Sequence, residues 1–117
     1  MKVIIAGSRN LKNITIPPPH KWKWKISEVV CGGAQGPDTI GRYWANQNNI
    51  PVAIFKADWS THGRAAGPIR NTDMAVYADA LIAYWDGESK GTYHMIQEME
   101  RLGKKVHIIR MPLQPPS

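Results

Sequence analysis

The sequence reads as an α/β domain built on a mostly parallel, doubly wound sheet. Short apolar runs alternate with helical patterns along the chain, and four glycine-centred turns fall where a predicted strand hands over to a predicted helix. With 117 residues there is room for a single core and none for a separate substrate domain, so residues 1–117 form one unit and any site must sit on that sheet.

Lys2 to Ala6 is an apolar run ending in Gly7 and reads as a buried parallel strand. Ser27 to Cys31 ends in the same way, in Gly32-Gly33. Between them, the stretch from Asn10 to Lys25 holds Pro17-Pro18-Pro19, three successive residues that lack an N–H and fix φ, so a full crossover helix is not expected there. From Pro37 to Asn48 the residues Ile40, Tyr43, Trp44 and Gln47 recur at helical spacing, with Pro37 suited to the first turn. Pro51 to Phe55 is the third strand. Ile69 to Tyr77 is helical by the placing of Ile69, Met74, Ala75 and Val76 after Gly67-Pro68, and Ala80 to Trp85 is the fourth strand. Thr92 to Leu102 has the clearest helical repeat, in Met95, Ile96, Met99 and Leu102, with Thr92 as the cap and Gly103 as the stop. Val106 to Ile109 is the fifth strand, and residues 110–117, proline-rich from Met111 onward, are expected to form a flexible tail. There are no internal repeats.

Composition excludes several classes. The apolar fraction of 43% and charged fraction of 21% are ordinary for a globular domain. No apolar run approaches the roughly 18 residues a membrane span needs, and the apolar N-terminus is too short for a signal peptide, so a cytoplasmic location without a membrane partner is expected. A single cysteine, Cys31, cannot form an internal disulfide, and no zinc spacing is present, so no metal site is expected. Cys31 has no His or carboxylate paired with it locally and reads as a buried strand residue rather than a nucleophile.

The net charge of +6, from 15 Lys and Arg against 9 Asp and Glu, favours an anionic partner. The densest basic stretch is His20-Lys21-Trp22-Lys23-Trp24-Lys25. It either tracks a phosphate backbone while its indoles stack on bases, or presents solvated lysines with the Trp faces tucked against the domain. The second reading is favoured, so nucleic acid stays open as a partner without being preferred.

The glycine turns are Gly7-Ser8-Arg9, Gly32 to Gly36, Ala66 to Asn71, and Trp85-Asp86-Gly87 running on to Gly91-Thr92. Parallel strands end on one edge of the sheet, so these turns converge on one crevice where helix N-termini offer unpaired N–H groups to an anion, phosphate above all. Asp38, behind the Gly32 turn, either complements the following helix end or accepts from a ribose hydroxyl. Arg9 and Arg70 carry guanidinium groups able to clamp phosphate oxygens, or else to form surface salt bridges. For Arg70 the clamp is favoured, because a cation opening a helix is misplaced unless an anion is near. Trp59 and Trp85 are candidates for stacking on a base or for packing.

Taken in order, the segments KVIIAGSR, VVCGGAQGPDTIGRYWA, ADW, AAGPIRNTDMAVYADALIAYWDGESKGTYHMI and GKKVHII closely resemble the YspA, cpYpsA-related branch of the SLOG superfamily. The resemblance spans nearly the whole chain. It implies a Rossmann-like three-layer sandwich with a mostly parallel five-stranded sheet that binds nucleotides or nucleotide-derived ligands across the strand ends. The superfamily also holds the LOG phosphoribohydrolases and the DNA-processing protein DprA. The positions that match are Gly7, Ser8 and Arg9; Gly32, Gly33, Ala34, Gly36 and Asp38; Gly67, Arg70 and Asn71; and Asp86, Gly87, Ser89, Gly91 and Thr92. Two departures stand out. The segment after Arg9 is shorter than the relatives' first helix, and Met95 stands where the LOG pattern P-G-G-x-G-T-x-x-E has the glutamate that assists N-glycosidic cleavage. A thioether cannot act as a general acid or base.

The leading expectation is therefore a binding or sensing domain for a small nucleotide ligand, with no certain cofactor and with homo-oligomerisation open. The alternatives are a nucleoside-monophosphate N-glycosidic hydrolase using Asp38, Asp86 or Glu98 as its carboxylate, and a basic nucleic-acid-binding domain.

Overall fold

A computed structural model describes residues 1–8, 11, 14–33 and 37–111. Five strands form one sheet: β1 (Lys2–Gly7), β2 (Glu28–Cys31), β3 (Val52–Ile54), β4 (Ala80–Trp85) and β5 (Lys105–Arg110). Their order is β3-β2-β1-β4-β5 and every pairing is parallel, which makes the sheet a Rossmann-like one. The chain runs outward from β1 to β3, then returns to the other side of β1, so the strand order reverses between β1 and β4. In register, Val3 to Gly7 lie beside Ala80 to Tyr84.

Side chains alternate across the pleat and build two cores. Val3 and Ile5 of β1, with Val29, Cys31, Ile82 and Tyr84, face α1 (Pro37–Gln47) and the segment carrying Leu11, Ile14 and Ile16. Ile4, Val30, Leu81 and Ala83 face Met74 and Ala75 of α3 (Ala66–Tyr77) and Met95, Ile96 and Met99 of α4 (Lys90–Arg101). Three layers result. On the first face the proline run does prevent a crossover helix: among the described residues between β1 and β2 the only helical element is a 3-10 turn at Pro19–Lys21. Trp22 and Trp24 are half-buried against that core, edge-on to His107, while Lys21, Lys23 and Lys25 are exposed.

α1 packs on β1 through Gly41. A Cβ there would stand 2.6 Å from Ile5 Cγ2 and 2.9 Å from Ile5 Cβ, so the close approach requires glycine.

Several boundaries differ from the sequence-based expectation: β2 starts at Glu28 rather than Ser27, β3 is shorter by one residue at each end, and β5 starts at Lys105. α3 begins at Ala66 rather than Ile69, because α2 (Trp59–His62), capped by Asp58, and the 3-10 turn Gly63–Ala65 run straight into it. Pro68 is tolerated there, since its missing N–H would be unpaired in the first turn anyway. α4 begins at Lys90, capped by Ser89, not by Thr92, which is buried and whose N–H the Ser89 hydroxyl accepts. β5 extends through Arg110, the first residue assigned to the tail; residues 112–117 lie outside the described residues. At the other end of α4, Gly103 (φ +69) lets the Lys104 N–H return to the Met99 carbonyl at 3.0 Å. Lys104 Nζ then donates to the carbonyls of Ala75, Val76 and Ala78 at 2.7, 2.9 and 2.6 Å, so the residue that closes α4 also caps α3.

Candidate functional site

At the C-terminal ends of β1 and β2, beside the point between β1 and β4 where the strand order reverses, a cleft of about 130 Å³ opens between the first turns of α1 and α4 and the second turn of α3. Each wall follows from local chemistry. β1 contributes Ala6 and Gly7. A Cβ on Gly7 would meet the Tyr84 carbonyl at 2.4 Å and Pro37 Cγ at 2.7 Å, so glycine is what allows β4 and α1 to close on the strand end. Ser8 follows, almost fully buried: its N–H donates to the Tyr84 carbonyl at 3.0 Å, and its hydroxyl accepts the Asp86 N–H at 3.1 Å. Ser8 thus holds the β1 and β4 ends together and does not line the cleft.

β2 contributes Gly32. Asp38, buried in the first turn of α1, accepts the Gly32 N–H on Oδ1 at 2.9 Å, and its backbone carbonyl accepts a long contact from Cys31 Sγ at 3.7 Å. Asp38 therefore shapes the glycine turn while lining the cleft. Cys31 is fully buried, and burial, then the neighbouring Asp38 charge, pushes its thiol up to about 12 against the pull of Arg42. Gly33 turns away at φ +77.

The second turn of α3 supplies Arg70 and Asn71. Arg70 Nη1 donates to the Gly32 carbonyl at 2.5 Å and Nε to Asn71 Oδ1 at 3.1 Å, which lays the guanidinium over the glycine turn. A Cβ on Gly32 would stand 2.5 Å from Arg70 Nη1. Arg70 lies deeper in the helix than the sequence suggests, yet it faces the cleft. Asn71 Nδ2 reaches the Gly91 carbonyl and His94 Nδ1, both at 3.3 Å, tying α3 to the start of α4.

α4 contributes Ser89, Gly91 and Thr92, and its Met95 with Met74 of α3 gives the cleft an apolar side. Before it, Asp86 organises the turn by accepting the N–H groups of Glu88 and Ser89, each at 2.8 Å. Burial pushes its carboxyl up, but the Glu88 and Ser89 N–H groups and the Ser8 hydroxyl outweigh this and hold it below the usual range. Gly87 (φ +85) is covered by Arg110, whose guanidinium also lies over the Trp85 ring, 5.6 Å from its centroid; Trp85 stacks on Tyr93 at 5.7 Å.

Eight residues expected in a ligand site line this one cleft: Gly7, Gly32, Asp38, Arg70, Asn71, Ser89, Gly91 and Thr92. Ser8, Gly33, Asp86 and Gly87 stand behind or beside it in the turns, and Gly67 lies in the first turn of α3. Arg9, Ala34 and Gly36 lie outside the described residues. Of the three carboxylates named for catalysis, Asp38 is the one that lines the cleft. Glu98 instead accepts from Arg101 Nε at 2.7 Å and Thr72 Oγ1 at 2.8 Å, and these two bonds, Arg101 first, hold its carboxyl below the usual range. Ala6 and Met74 are lining residues that sequence reading did not mark, since an alanine and a core methionine carry no local signal. Trp59 is half-exposed beside Gly67.

Among the described residues no group of three or more His, Cys, Asp or Glu side chains gathers to hold a metal ion, and no helix is long and apolar enough to cross a membrane.

A parallel sheet with a cleft at its switch point defines the broad class. Comparison with known proteins narrows it. A sequence model of the YspA, cpYpsA-related SLOG family matches residues 20–62. The chain is also similar to the Gene 61 protein of Mycobacterium phage D29, at 34% identity over 114 residues, covering 87% of this chain and 90% of that relative. The chain belongs to the YspA, cpYpsA-related SLOG family. No solved structure matches it.

Proposed function

We propose that the protein binds a nucleotide or nucleotide-derived ligand in the switch-point cleft, as a sensor or carrier rather than as a hydrolase. The observation that carries this reading is the convergence of Arg70 with the N-terminal turn of α4 on a cleft whose apolar side is Met74 and Met95. Helix N-termini and a guanidinium suit a phosphate, and the thioethers suit the less polar remainder of a nucleoside. Met95 occupies the place that an N-glycosidic hydrolase of the LOG pattern gives to a glutamate, and it is buried in the core. Asp38, the carboxylate present, spends Oδ1 on the Gly32 N–H, a holding role rather than that of a proton donor.

Calorimetric titration with a panel of nucleoside mono-, di- and triphosphates, run beside chromatographic detection of free base, tests the proposal. Saturable binding without base release is expected. Release of free base at an enzymatic rate would move the reading to the hydrolase, with Asp38 as its first suspect.

A further inference from the structure

The lysine ribbon on the opposite end of the molecule is not used by the cleft, and its arrangement is specific enough to carry a reading of its own. From Asn10 to Ser27 the sequence holds no Asp or Glu. Over residues 21–27 burial alternates with period two, so Lys21, Lys23 and Lys25 all face solvent while Trp22, Trp24 and Ile26 face the core. The indoles act as anchors. Trp22 Nε1 donates to the Pro17 carbonyl at 3.1 Å, and both rings stand edge-on to His107 of β5, at 5.7 and 6.4 Å. The proline run on one side, and on the other the Ser27 N–H held by the Met1 carbonyl at 2.9 Å, fix both ends of the ribbon.

Among the described residues the ion pairs are His94–Glu98 and Arg101–Glu98, and none of the three lysines takes part. Glu28, the next acid along the chain, accepts from the Tyr77 hydroxyl of α3, which lies on the other face of the sheet. Lys25 leads into the N-terminal end of β2, whereas the cleft lies at the C-terminal ends, so the two surfaces are separate.

We propose that this ribbon is a second binding site, for the phosphate backbone of a nucleic acid, recognised by charge and without base contacts. Three ammonium groups displayed on a fixed ribbon match a repeating polyanion. Because both indoles are committed to the core and to His107, they are not a stacking platform, which makes the contact indifferent to base sequence.

The test uses the full chain and a fluorescent oligothymidylate of about 20 nucleotides, with an oligoadenylate of equal length. Neutralising three phosphates of a single strand implies a log–log salt slope near −2, a loss of roughly 20-fold between about 50 and 200 mM salt. The two oligonucleotides are expected to bind within about twofold of each other. The combined variant Lys21→Ala, Lys23→Ala, Lys25→Ala should bind at least tenfold more weakly with the slope gone, and the combined Lys→Arg variant should retain both affinity and slope. Circular dichroism and Trp emission report whether the ribbon stays folded in each. No binding at the lower salt, a slope unchanged in the alanine variant, or stronger binding to phosphatidylserine vesicles than to either oligonucleotide would overturn the proposal.

Discussion

Replacing Arg70 by alanine separates phosphate recognition from everything else the cleft does. In the structure the guanidinium donates to the Gly32 carbonyl and to Asn71, both inside the protein, and it lies directly over the turn where a phosphate would approach. A charge-assisted bond from it to a phosphate oxygen contributes about 1.5 to 3 kcal/mol. Arg70→Ala should therefore weaken a nucleoside monophosphate by roughly 10- to 150-fold. The matching nucleoside has no phosphate to lose and should change by less than about threefold, a loss well under 1 kcal/mol. The Gly32 carbonyl also loses a part-buried donor, which costs the fold about 1 kcal/mol and shifts the urea midpoint slightly. Arg70→Lys keeps the charge without the planar fork and is expected to fall between wild type and alanine. Calorimetry on all three proteins with the nucleotide and nucleoside pair is the assay. Equal losses for both ligands would refute the phosphate role and leave Arg70 as a brace for the glycine turn.

Gly41→Ala should destabilise the fold by about 1 kcal/mol in a urea titration, although alanine normally improves a helix interior, because the added Cβ would press on Ile5 at 2.6 Å; a stabilised variant would contradict the close packing of α1 on β1. Lys104→Met should cost about 2 kcal/mol by removing three charged hydrogen bonds to the end of α3, and an unchanged midpoint would show that this cap is not formed in solution. Asp86 has a carboxyl held below its ordinary value, so its contribution is present above the unfolded value near 3.9 and is lost as pH falls through the folded one. Stability measured from pH 6 down to about pH 2 should decline less steeply in Asp86→Asn than in wild type, and identical acid limbs would show that the turn bonds to Glu88 and Ser89 do not form.

Much of the fold was legible because it is written locally. Apolar runs bounded by glycine mark β1, β2 and β4 as strands buried on both faces, and the three- and four-residue repeat of α4 survives in Met95, Ile96 and Met99. The cleft was legible for the same reason, since strand ends and helix starts are sequence events. What escaped depends on distant partners. Lys104 caps a helix by reaching the Ala78 carbonyl 26 residues earlier, and Arg110 covers Gly87 from a neighbouring strand, neither of which spacing can reveal. The start of α3 lies earlier than expected because Gly67-Pro68 reads as a turn, whereas the 3-10 turn Gly63–Ala65 carries the chain into a helix that already holds both residues. The cap of α4 falls on Ser89 rather than on Thr92, because the helix starts at Lys90 and the Ser89 hydroxyl accepts the Thr92 N–H.

Amide chemical-shift mapping with a nucleoside monophosphate tests the central claim most directly, because it reports both whether the ligand binds and where. Titration is expected to perturb Gly7, Gly32, Arg70, Asn71, Gly91 and Thr92, which lie on four different elements or turns and meet at the cleft, while Lys21 to Lys25 at the far edge stay still. No perturbation at millimolar ligand, or shifts confined to residues outside that cleft, would contradict it.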